Sequence, residues 1–199
     1  MSCDEGDVGT AKRGRPRSPE TDQRITEAAF ELLRSGGPNA VNIDAVAQHC
    51  GVARTTIYRR YATREELLAK ILDDIVEEPF SAPDKPLESQ LRWALRRVRS
   101  LLEDGLGRGG TAAVLADTDP EFTEALQRRL RNALSALKDE IAAGVEAGSL
   151  APDADPDALV GAIFGAYLAE VLQYAEPRPG WEDRTVALLL SGIAPHDGD

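Results

Sequence analysis

Apolar side chains recur at helical spacing along most of this chain. Ile25, Ala28, Ala29, Leu32 and Leu33 share one face of a helix that Ser18-Pro19 opens and Ser35-Gly36-Gly37-Pro38 ends. Ile43, Val46, Ala47 and Cys50 repeat the stripe behind Asn42, whose side chain can cap a short second helix. Gly51 then supplies the positive φ that a tight turn between helices needs, and Val52 and Ile57 are expected to bury under the helix that follows. Thr63-Arg64-Glu65-Glu66 is a capping box, and the helix it opens runs to about Glu78 with Leu67, Leu68, Ile71, Ile75 and Val76 apolar. Pro79, Pro83 and Pro86 break the pattern and mark a hinge or a boundary between two parts of the chain.

The second part of the chain is helical as well. Leu91, Ala94, Leu95, Val98, Leu101 and Leu102 trace one face of a helix from Leu87, with Arg92, Arg96 and Arg99 on another, and Gly105 to Gly110 interrupts. Asp119-Pro120-Glu121 caps a long helix carrying Phe122, Leu126, Leu130, Ala133, Leu137, Ile141 and Val145, which ends near Gly148. Asp155-Pro156-Asp157 repeats the device for a helix to about Tyr174, and a last helix spans Trp181 to Ile193. No segment alternates with period two, so the fold class is all α, with about nine helices.

The segment Gly51 to Leu68 carries chemistry as well as periodicity. Arg54, Thr55, Thr56, Tyr58, Arg59 and Arg60 set guanidinium groups, hydroxyls and a phenol on the outward side of a helix-turn-helix, the groups that read base edges and grip phosphates in a major groove. Residues of about 20 to 75, and above all the run TTIYRRYATREELL, resemble the N-terminal DNA-binding domain of the TetR family of transcriptional regulators. The resemblance implies a three-helix head joined by a connecting helix to a helical effector domain. It also points to Thr56 and Tyr58 as groove and phosphate contacts and to Arg64 as a phosphate anchor, with Asn42 beside them at the start of the motif. The implied organisation is a flexible basic arm at 1–17, a helix-turn-helix domain at 18–64, a connecting helix at 65–78, a ligand-binding and dimerisation domain at 79–195 and a tail at 196–199.

Charge sharpens this picture. The 199 residues carry a net charge of −11, an awkward balance for a nucleic-acid binder until it is divided along the chain. Ala11 to Arg64 holds ten basic against five acidic side chains, while residues 65–199 hold 13 against 26. A basic head on an acidic body approaches DNA head first. In the arm, Lys12-Arg13-Gly14-Arg15-Pro16-Arg17 has no apolar period; Arg13, Arg15 and Arg17 either enter a minor groove or make loose phosphate contacts.

Ala158 to Ala169 is apolar or small all round, so that helix must bury two opposite faces. Gly161, Phe164, Gly165, Leu168 and Leu172, with Val186, Leu189, Leu190 and Ile193 on the last helix, are the expected faces of a symmetric four-helix homodimer interface; a central helix of a monomer is the alternative. Candidate walls of an effector pocket are Trp93, Phe122, Leu126, Phe164 and Tyr167, although such stripes also make ordinary core, and Trp93 could equally stack under Arg96 or Arg97 at the surface.

An enzyme is not expected. His49 and His196 are the only histidines, and no nucleophile, base and carboxylate fall together. Two histidines and two distant cysteines give no metal-ligand spacing, and no cofactor is implied. Cys3 and Cys50 are poorly placed to pair, and no basic leader, h-region or membrane-length apolar run is present, so a cytoplasmic location with no membrane partner is expected. The expected function is a dimeric regulator, a repressor that a small-molecule effector releases from a near-palindromic operator. The alternative is an architectural or coregulatory DNA-binding protein whose body binds another protein.

Overall fold

The computed structural model describes residues 19–80 and 85–194. The basic arm with Arg13, Arg15 and Arg17, the Ser18 cap, Pro83 and the tail with His196 lie outside the described residues. Within them the chain forms α1 (Pro19–Gly36), α2 (Ile43–Cys50), α3 (Arg54–Tyr58), α4 (Arg64–Val76), α5 (Leu87–Ser100), α6 (Gly107–Leu115), α7 (Pro120–Glu146), α8 (Pro156–Tyr174) and α9 (Trp181–Ile193). No strand occurs among them.

Caps read from local sequence account for most of the helix starts. Asn42 Oδ1 accepts from Ala45 N at 2.8 Å, Thr63 Oγ1 from Glu66 N at 3.2 Å, and Asp119 Oδ1 from Phe122 N at 3.1 Å. Asp155 Oδ1 does the same for Asp157 N at 2.8 Å. Each satisfies a donor that the first helical turn leaves without an internal partner, a contribution of about 1 kcal/mol. The box at Thr63 closes one residue earlier than expected, with Glu66 Oε2 accepting from Ala62 N at 2.7 Å. Gly51, at φ 65°, ends α2 in the left-handed region and turns the chain into α3.

The expected interruption at Gly105–Gly110 is present but shorter: α5 runs into a π turn over Leu101–Gly105, closed by Leu106 N donating to Leu101 O at 2.8 Å, the chain bends at Leu106 and Gly107, whose φ of 62° is left-handed, and α6 follows. Within α6, tertiary packing overrides the low helix propensity of Gly109 and Gly110. A Cβ on Gly109 would lie 2.6 Å from Gly37 N and 2.8 Å from Ser35 C, so only glycine lets α6 rest directly on the end of α1.

One apolar cluster continues through the whole molecule, from Ile25 and Ile57 in the head, through Leu67 and Ile71 of α4, to Leu95, Leu126, Ile163 and Val186 in the body. The first three helices pack together, α4 lies against α7, and α5 lies against α8 and α9. The head is thus built onto the body, so displacement of a body helix is carried to it through packed atoms.

Candidate nucleic-acid interface

Short as it is, α3 presents a defined outer surface. Ile57, with no exposed area, pins it to the head core, which turns Arg54, Thr55 and Tyr58 outward; Tyr58 is 52% exposed. Arg54 Nε reaches Asp44 Oδ1 of α2 at 2.9 Å, an exposed pair that other groups can displace at little cost. Arg59 is exposed, Thr56 is half-buried, and Asn42 uses its carbonyl oxygen for the α2 cap.

Two arginines of the expected set are placed differently. Arg60 is turned inward, its side chain only 7% exposed: Nε pairs with Asp22 of α1 and Nη1 donates to Thr56 O at 3.3 Å. It ties α3 to α1 and is withdrawn from the outer surface. Arg64 is also turned back, from the first turn of α4 toward the body. Its Nε donates to Val41 O at 2.9 Å, and Nη2 donates to Pro38 O and to Asp119 Oδ2, both at 2.7 Å. Burial alone would raise the Asp119 carboxyl, but the hydrogen bonds from Arg64 and Phe122 N outweigh it and hold the group below its ordinary value. Arg64 therefore fastens head to body where the sequence suggested a phosphate anchor.

Further fastenings gather on the same stretch of the body. Arg34 Nη1 donates to Asp104 O at 2.9 Å, and Asn39 Nδ2 to Thr118 O at 3.4 Å. With the Gly37–Gly109 approach and the Arg64–Asp119 pair, these contacts fall within residues 104–119, that is, on α6 and its flanks.

The other side of α6 walls an apolar crevice of 150 Å³. Its lining is Leu101, Leu102, Leu106, Thr111, Val114, Leu115, Leu126, Leu130, Phe164 and Leu168. Of the five expected pocket residues it gathers two, Leu126 and Phe164. Phe122 faces a different crevice, of 260 Å³ between α4 and α7, together with Arg64 and Asp119. Tyr167 is core: it packs edge-on to Trp181 at 6.0 Å and bonds Glu103 at 3.2 Å, and burial followed by that carboxylate pushes its phenol up to about 12. Trp93 lines a separate, open crevice of 410 Å³ with Glu78, Arg96, Arg97 and Ser100; it is 37% exposed and its Nε1 donates to Pro79 O at 3.1 Å, bracing the turn after α4.

Arg97 was missed as a structural element. Its guanidinium, 7% exposed, donates to Ile75 O at 2.6 Å and Glu78 O at 3.1 Å, closing the C-terminal end of α4, and lies 5.4 Å over Phe80, whose ring packs at 6.0 Å on Phe164. The signal was available, since Arg97 stands three residues after Ala94 and four before Leu101, on the apolar face.

The two-faced character of α8 is present. Leu159, Val160, Ile163 and Tyr167 are buried, while Gly161, Ala162, Gly165, Ala169 and Leu172 form an exposed apolar and small-residue face, with Leu172 85% exposed. Among the described residues, no atom from outside α8 stands within 4 Å of a Cβ placed on Gly161 or Gly165. On α9, Val186 and Ile193 are buried in the core and leave the expected interface; Leu188, 70% exposed, stands outward instead, beside half-buried Leu189 and Leu190. Phe164 and Leu168 are half-buried and line the crevice. Among the described residues no helix is long and apolar enough to cross a membrane, and Cys50 is a free thiol.

Residues 25–71 match the family model for bacterial regulatory proteins of the tetR family, and residues 83–189 match the model for the tetracyclin repressor-like C-terminal domain. The HTH-type transcriptional regulator YhgD of Bacillus subtilis is 26% identical over 173 residues, which cover 83% of this chain and 90% of that protein. A regulatory protein of the tetR family from Rhodococcus superposes with a TM-score of 0.66 at 22% identity, over 90% of this chain and all of that one. The flavonoid-responsive regulator FrrA superposes at 0.60 with 17% identity, over 90% of this chain and all of its own.

Proposed function

The chain belongs to the TetR family and is a DNA-binding transcriptional regulator, and from that premise we propose that it acts as a homodimeric repressor which a small molecule lifts from a near-palindromic operator. Two copies of α3 would lie in successive major grooves, about 34 to 36 Å apart or a multiple of that. Arg54, Thr55, Thr56, Tyr58 and Arg59 are the proposed readers, with Arg13, Arg15 and Arg17 of the arm reaching the flanks. The exposed face of α8 supports the pairing, since an apolar surface with glycines at its centre suits close contact with a second copy of itself.

The observation that carries the ligand-responsive part is the double duty of α6. One side lies on α1 at Gly109, and the other walls the apolar crevice at Thr111, Val114 and Leu115. A molecule that binds one arrangement of α6 better than the other shifts the head between two placements, and only one placement spans both half-sites. FrrA, of the same fold, is described as flavonoid-responsive, which is consistent with an effector site in such a body.

Selection of operators from random DNA with the full chain tests this reading. Two inverted half-sites at groove-to-groove spacing are expected, bound by one dimer, with affinity that falls as effector is added. A single undivided site, or a monomer by light scattering at micromolar concentration, overturns it.

A further inference from the structure

We propose that the crevice beside α6 takes an uncharged, compact and largely apolar molecule bearing one hydroxyl or carbonyl group, which Thr111 meets. The ligand-responsive reading supplies the location; the chemistry of the ligand is what is added.

Three features of the crevice define that chemistry. Leu101, Leu106, Leu126, Leu130 and Phe164 line it together with Thr111, and no charged side chain is among its lining residues. A charged group entering such a site would lose its hydration without gaining a counter-charge. Its volume, 150 Å³, lies below the common range for drug-sized ligands and equals that of an apolar protein cavity able to admit benzene, which points to about six to ten non-hydrogen atoms.

Thr111 supplies the polar term. Its Oγ1 is buried and, among the described residues, has no hydrogen-bond partner. A buried hydroxyl without a partner is costly, and such groups in folded proteins ordinarily find one. Thr111 is among the lining residues, but the surface that the crevice presents is apolar, so the buried hydroxyl is not exposed to it. Threonine in a helix divides between two χ1 rotamers, and ligand binding would select the one that turns the hydroxyl to the lumen. There it can donate to a carbonyl or exchange a hydrogen bond with a hydroxyl.

Benzene, phenol and benzoate separate the terms when titrated into the dimeric protein by calorimetry. Phenol is expected to bind about tenfold tighter than benzene, the worth of one hydrogen bond to the buried hydroxyl, and benzoate not to bind at neutral pH. Thr111→Val should bring phenol down to the level of benzene and leave benzene unchanged; Thr111→Ser should keep the preference, so a folding defect of the valine variant does not remove the test. Equal affinity for phenol and benzene, a phenol preference that survives Thr111→Val, or benzoate binding as tightly as phenol overturns the proposal. So does absence of all binding at about 10 mM, where a ligand of this size in a fitting site is detectable, including the case in which the partner subunit plugs the crevice. Phenol binding that leaves operator affinity untouched would count against the ligand-responsive reading alone. Operator release by a compound that does not enter the crevice would count against this proposal and leave that reading standing.

Discussion

Replacing Gly109 by alanine turns the contact between head and body into a question of sign. In a helix that met nothing, the change would stabilise the protein by about 0.8 to 1 kcal/mol through helix propensity. Here the new methyl carbon would lie 2.6 Å from Gly37 N, 2.8 Å from Ser35 C and 2.9 Å from Gly36 N, all backbone atoms that cannot rotate out of the way. Overpacking of this kind costs about 1 to 3 kcal/mol, and rigid neighbours place it in the upper part of that range. The balance is a net loss of about 1 to 2 kcal/mol, or a fall in Tm of about 2 to 8 °C for a chain of this size. Differential scanning calorimetry measures it, with exposed Ala112→Gly in the same helix calibrating the propensity term. Because α1 must move away from α6, operator affinity should fall as well. A raised Tm with unchanged operator affinity would refute the argument that this contact holds the head in place.

Six other substitutions test separate contacts. Leu172→Glu and Leu188→Glu, at positions 85% and 70% exposed, should leave the stability of a folded subunit within about 0.5 kcal/mol while light scattering shows half the dimer mass; a retained dimer would displace the interface. Arg64→Ala cuts three hydrogen bonds and strands Asp119, a loss of about 2 to 3 kcal/mol by urea unfolding. Since the folded Asp119 pKa is depressed, its contribution is present above the ordinary value of 3.8 and is lost as pH falls below it; that acid slope should disappear in the variant. Arg97→Met leaves the carbonyls of Ile75 and Glu78 unpartnered, so amide exchange at the end of α4 should quicken, and unchanged protection would remove Arg97 as its clasp. Arg54→Ala should cost about 1 to 3 kcal/mol of operator binding and relax preference at one base pair, whereas Arg60→Ala should lower stability and leave preference intact.

What could be seen in the sequence was what local chemistry decides. The caps at Asn42, Thr63, Asp119 and Asp155 and the turn at Gly51 depend on residues within four positions, and the structure has them. What stayed hidden depends on distant partners. Arg60 and Arg59 are neighbours of like composition at the end of α3, and only Asp22, 38 residues away, decides which turns inward. Arg64 finds Asp119 at a separation of 55 residues. The break at Gly107 was legible, but Gly109 read as part of it because its compensation, close contact with the end of α1, lies about 70 residues upstream. On α9 apolar residues occupy both faces, so periodicity alone assigned Val186 and Ile193 to a partner when the subunit's own core uses them.

The five residues of α3 also set a limit on discrimination. At 1.5 Å per residue this is about 7.5 Å of helix, which lies along some two or three base pairs at about 3.4 Å each. Three fully specified base pairs occur by chance once in about 64 positions, and two such readings together once in about 4,000, against about a million or more competing positions in a genome. Pairing of two heads therefore multiplies selectivity but falls short of singling out an address. The balance has to come from sequence that α3 does not touch: the deformability of the operator between the half-sites, and the flanking DNA that the arm is proposed to contact.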